Sequence, residues 1–261
     1  MRLHHFIALA VLVPAVAGAQ RKADFSWEKT LANGSDVEIH NVSGDVRVTP
    51  STTGRVEVYG FNDTGSRFAD PVRTVVVETS HGIVVCVVDA DGNDTCDDRG
   101  LRSRGRDNHR DRGSMNLEIH VPATMNVSAS SVSGDVSVSG VQGEDLRTST
   151  VSGNIRVERA RTSRFRGSTV SGDIDARIEA LTGRGDLTFS TVSGDVTLEL
   201  PKNLDVDLTM STVSGNIESE YPITLRNGRM SRNHMEARIG NGGRDMKIST
   251  VSGSVRLRAG K

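Results

Sequence analysis

The stretch Ser190-Thr191-Val192-Ser193-Gly194-Asp195-Val196 decides the fold, because it returns along the chain with small changes. Variants stand at Val42-Ser43-Gly44-Asp45-Val46, Val132-Ser133-Gly134-Asp135-Val136, Val151-Ser152-Gly153-Asn154-Ile155 and Val170-Ser171-Gly172-Asp173-Ile174. Two more follow at Val213-Ser214-Gly215-Asn216-Ile217 and Val251-Ser252-Gly253-Ser254-Val255. From Gly134 the glycines step by 19 to Gly153, 19 to Gly172, 22 to Gly194 and 21 to Gly215. The last step, to Gly253, is 38 and reads as two periods with one unmarked rung. Self-similarity at a fixed period near 20 is the mark of a solenoid, in which each unit buries its apolar face only against its neighbours.

Within a unit, apolar residues alternate on the way into the glycine: Leu204, Val206, Leu208 and Met210, or Leu187 and Phe189. That is the period of a strand with one buried face. The phase then slips by one, since Val192 and Val213 have the opposite parity, and alternation restarts with Val196, Leu198 and Leu200. A slip beside Gly-Asp or Gly-Asn suits a bulged corner: glycine accepts positive φ, and Asx caps its own turn. Each unit therefore reads as strand, corner, strand, loop, and stacked copies share a thin core of Val, Ile, Leu and inward Ser or Thr. The fold expected is an all-β parallel β-helix, or β-solenoid, with rungs of about 19–22 residues.

Residues 1–19 read as a signal peptide: Arg2 supplies the positive start, Phe6 to Val16 the apolar run, and Ala17-Gly18-Ala19 the small-residue cleavage site. That run is too short to cross a bilayer, and no later segment reads as a transmembrane helix. The expected mature chain starts at Gln20 and is exported to the periplasm, cell surface or exterior. Composition agrees with a narrow solenoid: aromatics are 3% and Gly numbers 27. The formal net charge of -1 gives no global pull toward nucleic acid or anionic membrane.

Residues 24–118 read as the N-terminal β part of the same solenoid, with a separate small β-domain as the alternative, and 119–261 as the regular repeats. Thr74 to Glu78 and Ile83 to Val88 read as a strand pair turned at His81-Gly82. One interruption stands out, Asp89 to Ser114, acidic at first and then Arg-rich. Its low hydrophobicity predicts a mobile, disordered surface loop over 89–114. The two cysteines of the chain, Cys86 and Cys96, bracket its acidic part and in an exported protein are expected to form a disulfide. The acidic run loosely resembles a calcium loop, but its glycine falls too early and no bidentate Glu follows. The Arg-rich half lacks the interleaved aromatics of a nucleic-acid surface.

The repeat together with Pro122 and Pro201, which open rungs, and Gly240-Asn241-Gly242-Gly243 ahead of the last unit, resembles the bacterial putative-adhesin domain family, including LiaG-like proteins, over roughly Val37 to Lys261. The resemblance implies a β-solenoid at the cell envelope with an adhesive role, and it brings no catalytic residues.

The residues themselves offer little chemistry. Asp173 and Asp195, on adjacent corners about 5 Å apart by strand spacing, could act as a carboxylate pair of the kind retaining glycosidases use. Asn154, Asn216 and Ser254 hold the same position on other units, which fits a structural corner better. The histidines are scattered, and no Ser-His-Asp order, HExxH or phosphate-binding glycine loop is present. The reading is therefore of structural corners at Gly44, Asp45, Gly134, Asp135, Gly153, Asn154, Gly172, Asp173, Gly194, Asp195, Gly215, Asn216, Gly253 and Ser254. No catalytic, cofactor-binding or metal residue is assigned. The function expected is a non-enzymatic envelope adhesin or scaffold acting through its side faces on an envelope or surface ligand, protein or polysaccharide. A polysaccharide-processing enzyme using corner aspartates is the alternative, and end-to-end polymerisation a third reading.

Overall fold

The computed structural model describes residues 22–63, 70–91, 94–103, 113–231 and 233–260. The signal segment 1–19 lies outside the described residues. What is described is all strand, turn and loop. The N-terminal part contains β1 (Phe25–Lys29), β2 (Asp36–His40), β3 (Val46–Pro50), β4 (Val56–Asp63), β5 (Val72–Glu78), β6 (Gly82–Asp89), β7 (Asp94–Asp97), β8 (Gly100–Ser103) and β9 (Ser114–Val121). The repeats supply β10 (Asn126–Ser133), β11 (Val136–Ser139), β12 (Asp145–Ser152), β13 (Ile155–Thr162), β14 (Arg164–Ser168), β15 (Ile174–Leu181), β16 (Leu187–Ser190) and β17 (Val196–Leu200). The chain closes with β18 (Val206–Ser211), β19 (Ile217–Ser219), β20 (Thr224–Met230), β21 (His234–Ile239), β22 (Asp245–Ser249) and β23 (Val255–Ala259).

Each repeat places its first strand in one long sheet, turns at Val-Ser-Gly, and lays its second strand in a facing sheet. The molecule is a parallel β-solenoid. Inward residues of the two sheets meet face to face. Val37, Val127, Leu146, Phe165, Leu187, Met246 and Leu208 form one buried column, and Val46, Val136, Ile155, Ile174, Val196 and Val255 line the opposite wall. Such a column is strongly stabilising, at about 1.5–3 kcal/mol per fully buried side chain of this size. Gly167 leaves room for the largest member of the core: a Cβ there would meet the Phe189 ring at 3.2 Å, while Phe189 packs edge-on against Phe165 with centroids 4.9 Å apart.

Along the axis the eight parallel levels do not follow the chain. Their order is β6 with β9, β2 with β3, β10 with β11, β12 with β13, β14 with β15, β16 with β17, β22 with β23, and finally β18 with β19. The first rung is thus enclosed between later ones. The last repeat slots between the two that precede it: β22 pairs with β16 on one side and β18 on the other, and β23 with β17 and β19. This corrects the expectation of an unmarked rung in the 38-residue step. The chain instead crosses a vacant level, makes the antiparallel hairpin β20–β21 beyond β18, and returns to fill the gap.

Arg244, only 7% exposed, pins the returning segment. Its guanidinium donates to the carbonyls of Ser163 at 3.0 Å, Thr182 at 3.2 Å and Gly183, all in loops that open other rungs. Burial, its largest influence, pulls the Arg244 pKa below the ordinary value, against the opposing field of Asp186.

Reversed strands cover both sheets at the N-terminal end, where β4 lies antiparallel on β9 with β1 outside it and β5 lies antiparallel on β6. At the other end the hairpin β20–β21 covers β18, and β19 is the outer strand of its sheet. One continuous apolar core runs from Val37 to Leu257. Inserted residues 94–103 depart from the expected disordered loop. They form the hairpin β7–β8 on the outer face of β6, where Val84, Cys86 and Val88 make a small second core with Val75, Val77, Cys96 and Leu101. The Cys86–Cys96 disulfide ties the hairpin down. The run is polar in composition, yet one face of β6 is apolar on the outside, and that face orders it. Residues 104–112 of the charged segment, with Gly92 and Asn93, lie outside the described residues.

Candidate functional site

The corner residues Gly44, Gly134, Gly153, Gly172, Gly194, Gly253 and Gly215 stack in that spatial order as one column. A Cβ on Gly153, Gly172, Gly194, Gly253 or Gly215 would meet the carbonyl oxygen of the glycine below at 1.9–2.1 Å. The backbone itself occupies the space, which is why the position is glycine.

Four side chains surround a typical corner glycine, as in Thr191-Val192-Ser193-Gly194-Asp195, and two of them are consumed by the fold. The threonine three residues before points inward and donates to the glycine carbonyl of the neighbouring rung: Thr150 to Gly134 at 2.9 Å, Thr169 to Gly153 at 3.1 Å, Thr191 to Gly172 at 3.0 Å, Thr250 to Gly194 at 3.0 Å and Thr212 to Gly253 at 2.9 Å. A buried hydroxyl is thereby satisfied while it clamps two rungs. The Asx residue after the glycine acts similarly on the outside. Its side-chain oxygen accepts from the backbone N–H of the next rung's corner: Asp45 from Asp135 at 2.9 Å, Asp135 from Asn154 at 2.7 Å, Asn154 from Asp173 at 2.9 Å, Asp173 from Asp195 at 2.8 Å and Asp195 from Ser254 at 2.7 Å. Ser254 continues the ladder weakly, its Oγ accepting from Asn216 at 3.4 Å. The Asx side chains thus cap the next rung, where the sequence reading had them cap their own turn.

This ladder bears on the carboxylate pair considered from sequence. Asp173 and Asp195 do lie on adjacent corners, and each commits an oxygen to a neighbouring amide. The other oxygen of Asp195 accepts from the Arg256 guanidinium at 2.6 Å. The backbone N–H of Ser254, then the bond from Arg256, hold the Asp195 carboxyl below the usual carboxylate range. An acid held ionised in this way is a poor proton donor. Asp45, Asp135, Asn154, Asp173 and Asp175 share a shallow groove of about 360 Å³ with Arg47 and Arg156.

The valine of each corner is left over. Val132, Val151, Val170, Val192, Val251 and Val213 point outward, 44–67% exposed, and stack in register. On one side of them runs a column of serines, Ser130, Ser149, Ser168, Ser190, Ser249 and Ser211, each directly opposite the next. On the other side run Ser133, Ser152, Ser171, Ser193, Ser252 and Ser214, joined by single bridges. The result is an uncharged Ser-Val-Ser ribbon over six rungs, about 24 Å long at the usual strand spacing. The sequence carries its signal, the parity slip at Val192 and Val213, which corner geometry by itself also explains. A lone surface valine is ordinary; a contiguous stripe of them makes the ribbon the candidate site.

The Cys86–Cys96 disulfide lies in line with the first serine column, since Cys86 of β6 stands opposite His40 and His40 opposite Ser130. Among the described residues no group of three or more His, Cys, Asp or Glu side chains is placed to hold a metal ion, and no helix is long and apolar enough to cross a membrane.

Comparison with known proteins agrees with this architecture. No curated protein matches the chain. Among solved structures, a putative cell adhesion protein from Clostridium sporogenes superposes with a TM-score of 0.52 at 10% identity, covering 90% of this chain and 99% of its own. A putative adhesin from Bacteroides fragilis, at 13% identity, covers 90% and 96% with a TM-score of 0.41. At such identity the first likeness speaks for the fold alone. The family described as Toastrack DUF4097 matches residues 19–258. A match of that span, on a chain whose repeats stack as one solenoid, means that this protein belongs to the Toastrack DUF4097 family.

Proposed function

We propose that this protein is an exported, non-enzymatic envelope or surface protein that adheres through its long side faces, with the Ser-Val-Ser ribbon as the principal contact. The ribbon carries the proposal. Thr, Gly and Asx of each corner have partners within the solenoid, whereas the outward valines repeat six times without one. An uncharged strip with a fixed repeat suits a polymeric or repetitive partner, bound through many weak contacts in series. The leader-like residues 1–19 support export. The name of the Clostridium sporogenes neighbour, a putative cell adhesion protein, is in keeping with the reading. The commitments of Asp173 and Asp195 weigh against the polysaccharide-processing alternative, and the reversed hairpin β20–β21 beyond β18 weighs against end-to-end stacking through that sheet.

The test is retention of the mature chain, from Gln20, on bacterial cells and on insoluble wall polymer. A Val151→Asp/Val170→Asp/Val192→Asp variant changes only exposed side chains, so it should keep its circular dichroism and lose at least tenfold in retention. Unchanged retention would remove the ribbon from the proposal. Turnover of the polymer, abolished by Asp173→Asn/Asp195→Asn in a folded protein, would make it an enzyme.

A further inference from the structure

A second recess, distant from the ridge, lies near the N-terminal end of the solenoid, on the outer face of β4 and β9. It is a groove of about 800 Å³ lined by Glu57, Tyr59, Phe61, Asn116, Glu118 and His120, with Lys22 and Ala23 at its wall. The antiparallel register sets these side chains in three facing pairs: Glu57 with His120, Tyr59 with Glu118, and Phe61 with Asn116. Cross-strand partners stand about 4.5–5.5 Å apart, and successive pairs on one face about 6.6 Å. The alternation along β4 puts Val56, Val58 and Gly60 inside and leaves Tyr59 and Phe61 half-buried on the outside.

This is an uncommon use of aromatics in this chain, where they make up only 3% of residues. Phe165, Phe189 and Tyr221 are buried, and Phe25 and Trp27 pack against the core. Among the described residues Tyr59 and Phe61 are the aromatics of the outer surface, and they are neighbours on one strand. The imidazole of His120 meets the Tyr59 ring edge-on, centroids 5.7 Å apart. Each ring has one polar contact of its own: the Tyr59 hydroxyl donates to Glu57 Oε2 at 3.3 Å, and His120 Nδ1 lies 3.0 Å from Thr49 Oγ1. Burial, then the Glu57 carboxylate, raises the Tyr59 pKa, so that hydroxyl keeps its proton as a donor.

Rings presenting a flat apolar face, framed by carboxylates, an amide and a hydroxyl, match the two-sided chemistry of a pyranose: a C–H face to pack on a ring, and equatorial hydroxyls to donate to Glu and accept from Asn, His or Tyr. The acidic lining argues against an anionic ligand, since Glu57 and Glu118 repel phosphate or nucleic acid, although Lys22 at the wall and Arg47, opposite Glu118 on β3, offset them in part. We propose that the β4–β9 groove binds a neutral glycan, one pyranose packing on Tyr59 and Phe61 with its hydroxyls on Glu57, Glu118 and Asn116. This site is separate from the ribbon and stands or falls without it.

The experiment is calorimetric titration of the mature chain with chitotetraose, cellotetraose and maltotetraose, and with choline chloride as a cation that would also favour aromatic rings beside carboxylates. Ligand-detected saturation-transfer NMR on the same samples gives an independent readout. At least one oligosaccharide should bind saturably, and Tyr59→Ala and Phe61→Ala should each weaken it at least tenfold. The Val151→Asp/Val170→Asp/Val192→Asp variant should bind as the parent does, which separates failure of this site from failure of the ribbon. Because both aromatics are half-exposed, thermal unfolding of each variant checks that the fold survives; should either unfold, Glu118→Gln supplies the same test. Absence of saturable binding at millimolar oligosaccharide, binding that survives all three substitutions, or binding of choline in place of sugar would each overturn the assignment.

Discussion

Substituting Gly194 by alanine probes the corner more sharply than any other single change. The new Cβ would stand 2.0 Å from the carbonyl oxygen of Gly172 and 2.6 Å from its carbon. A close carbon-to-oxygen approach in sheets is about 3.3 Å, so the corner must move by more than an ångström in a stack whose rungs are about 4.8 Å apart. The bonds that ride on that corner include Gly194 N–H to the Ser252 carbonyl at 2.9 Å, Ser193 N–H to Val170 at 2.9 Å, Asp195 N–H to Asp173 Oδ1 at 2.8 Å, and the hydroxyls of Thr191 to Gly172 and of Thr250 to Gly194, both at 3.0 Å. Weakening two or three of them, at about 1 kcal/mol each, costs about 2–3 kcal/mol. The φ of +153° adds about 1–3 kcal/mol for a residue with a Cβ. The sum, about 3–6 kcal/mol, is a large part of the stability of about 5–15 kcal/mol typical of a domain. Equilibrium urea unfolding of the mature chain, followed by circular dichroism, measures it. Val192→Ala, two residues away and exposed, is the control and should cost less than about 1 kcal/mol. If Gly194→Ala fell within about 1 kcal/mol of the parent, close backbone stacking would not be what selects glycine at the corner.

Three further outcomes follow from the same geometry. Asp195 has its carboxyl pKa lowered first by the Ser254 N–H and then by Arg256, so its contribution to stability is complete above the ordinary aspartate pKa of about 3.9. That contribution is lost as pH falls through the depressed folded value; urea midpoints of the parent and Asp195→Asn should therefore differ at neutral pH and converge on acidification, and a gap that widened would refute the assignment. Removing the last repeat, 245–261, strips β18 and β19 of the parallel partners they have in β22 and β23, so it should unfold the C-terminal rungs while deletions in a chain-ordered solenoid would only shorten the stack. Arg244→Met, which empties a buried guanidinium from three carbonyls, should increase hydrogen exchange in the same region, and unaltered exchange would deny it the pinning role.

Much of this architecture was legible in the chain because a solenoid repeats its local chemistry. The alternation of Leu187 and Phe189, the slip at Val192 and the Gly194-Asp195 corner each appear once per rung, so period and parity give the strands, the corner and the inward face. The same repetition hid the site. A valine that returns with the corner looks like part of the corner, and only exposure separates Val192, which faces solvent, from Thr191, which clamps Gly172. Tyr59, Phe61 and His120 lie outside the repeat, on strands about 60 residues apart, and no spacing rule joins them.

The sequence by itself determined the fold class, the glycine corners and the side of each strand that is buried, since these depend on contacts within a rung or with an equivalent one. Tertiary structure alone decided the order of the rungs. Gly253 stacks between Gly194 and Gly215, and the hairpin β20–β21 bears on that placement because it covers the outer edge of β18 and leaves the inner edge, facing β16, for the last repeat. The ordering of residues 94–103 was likewise decided by the apolar outer face of β6, a partner that the polar segment itself gives no sign of meeting.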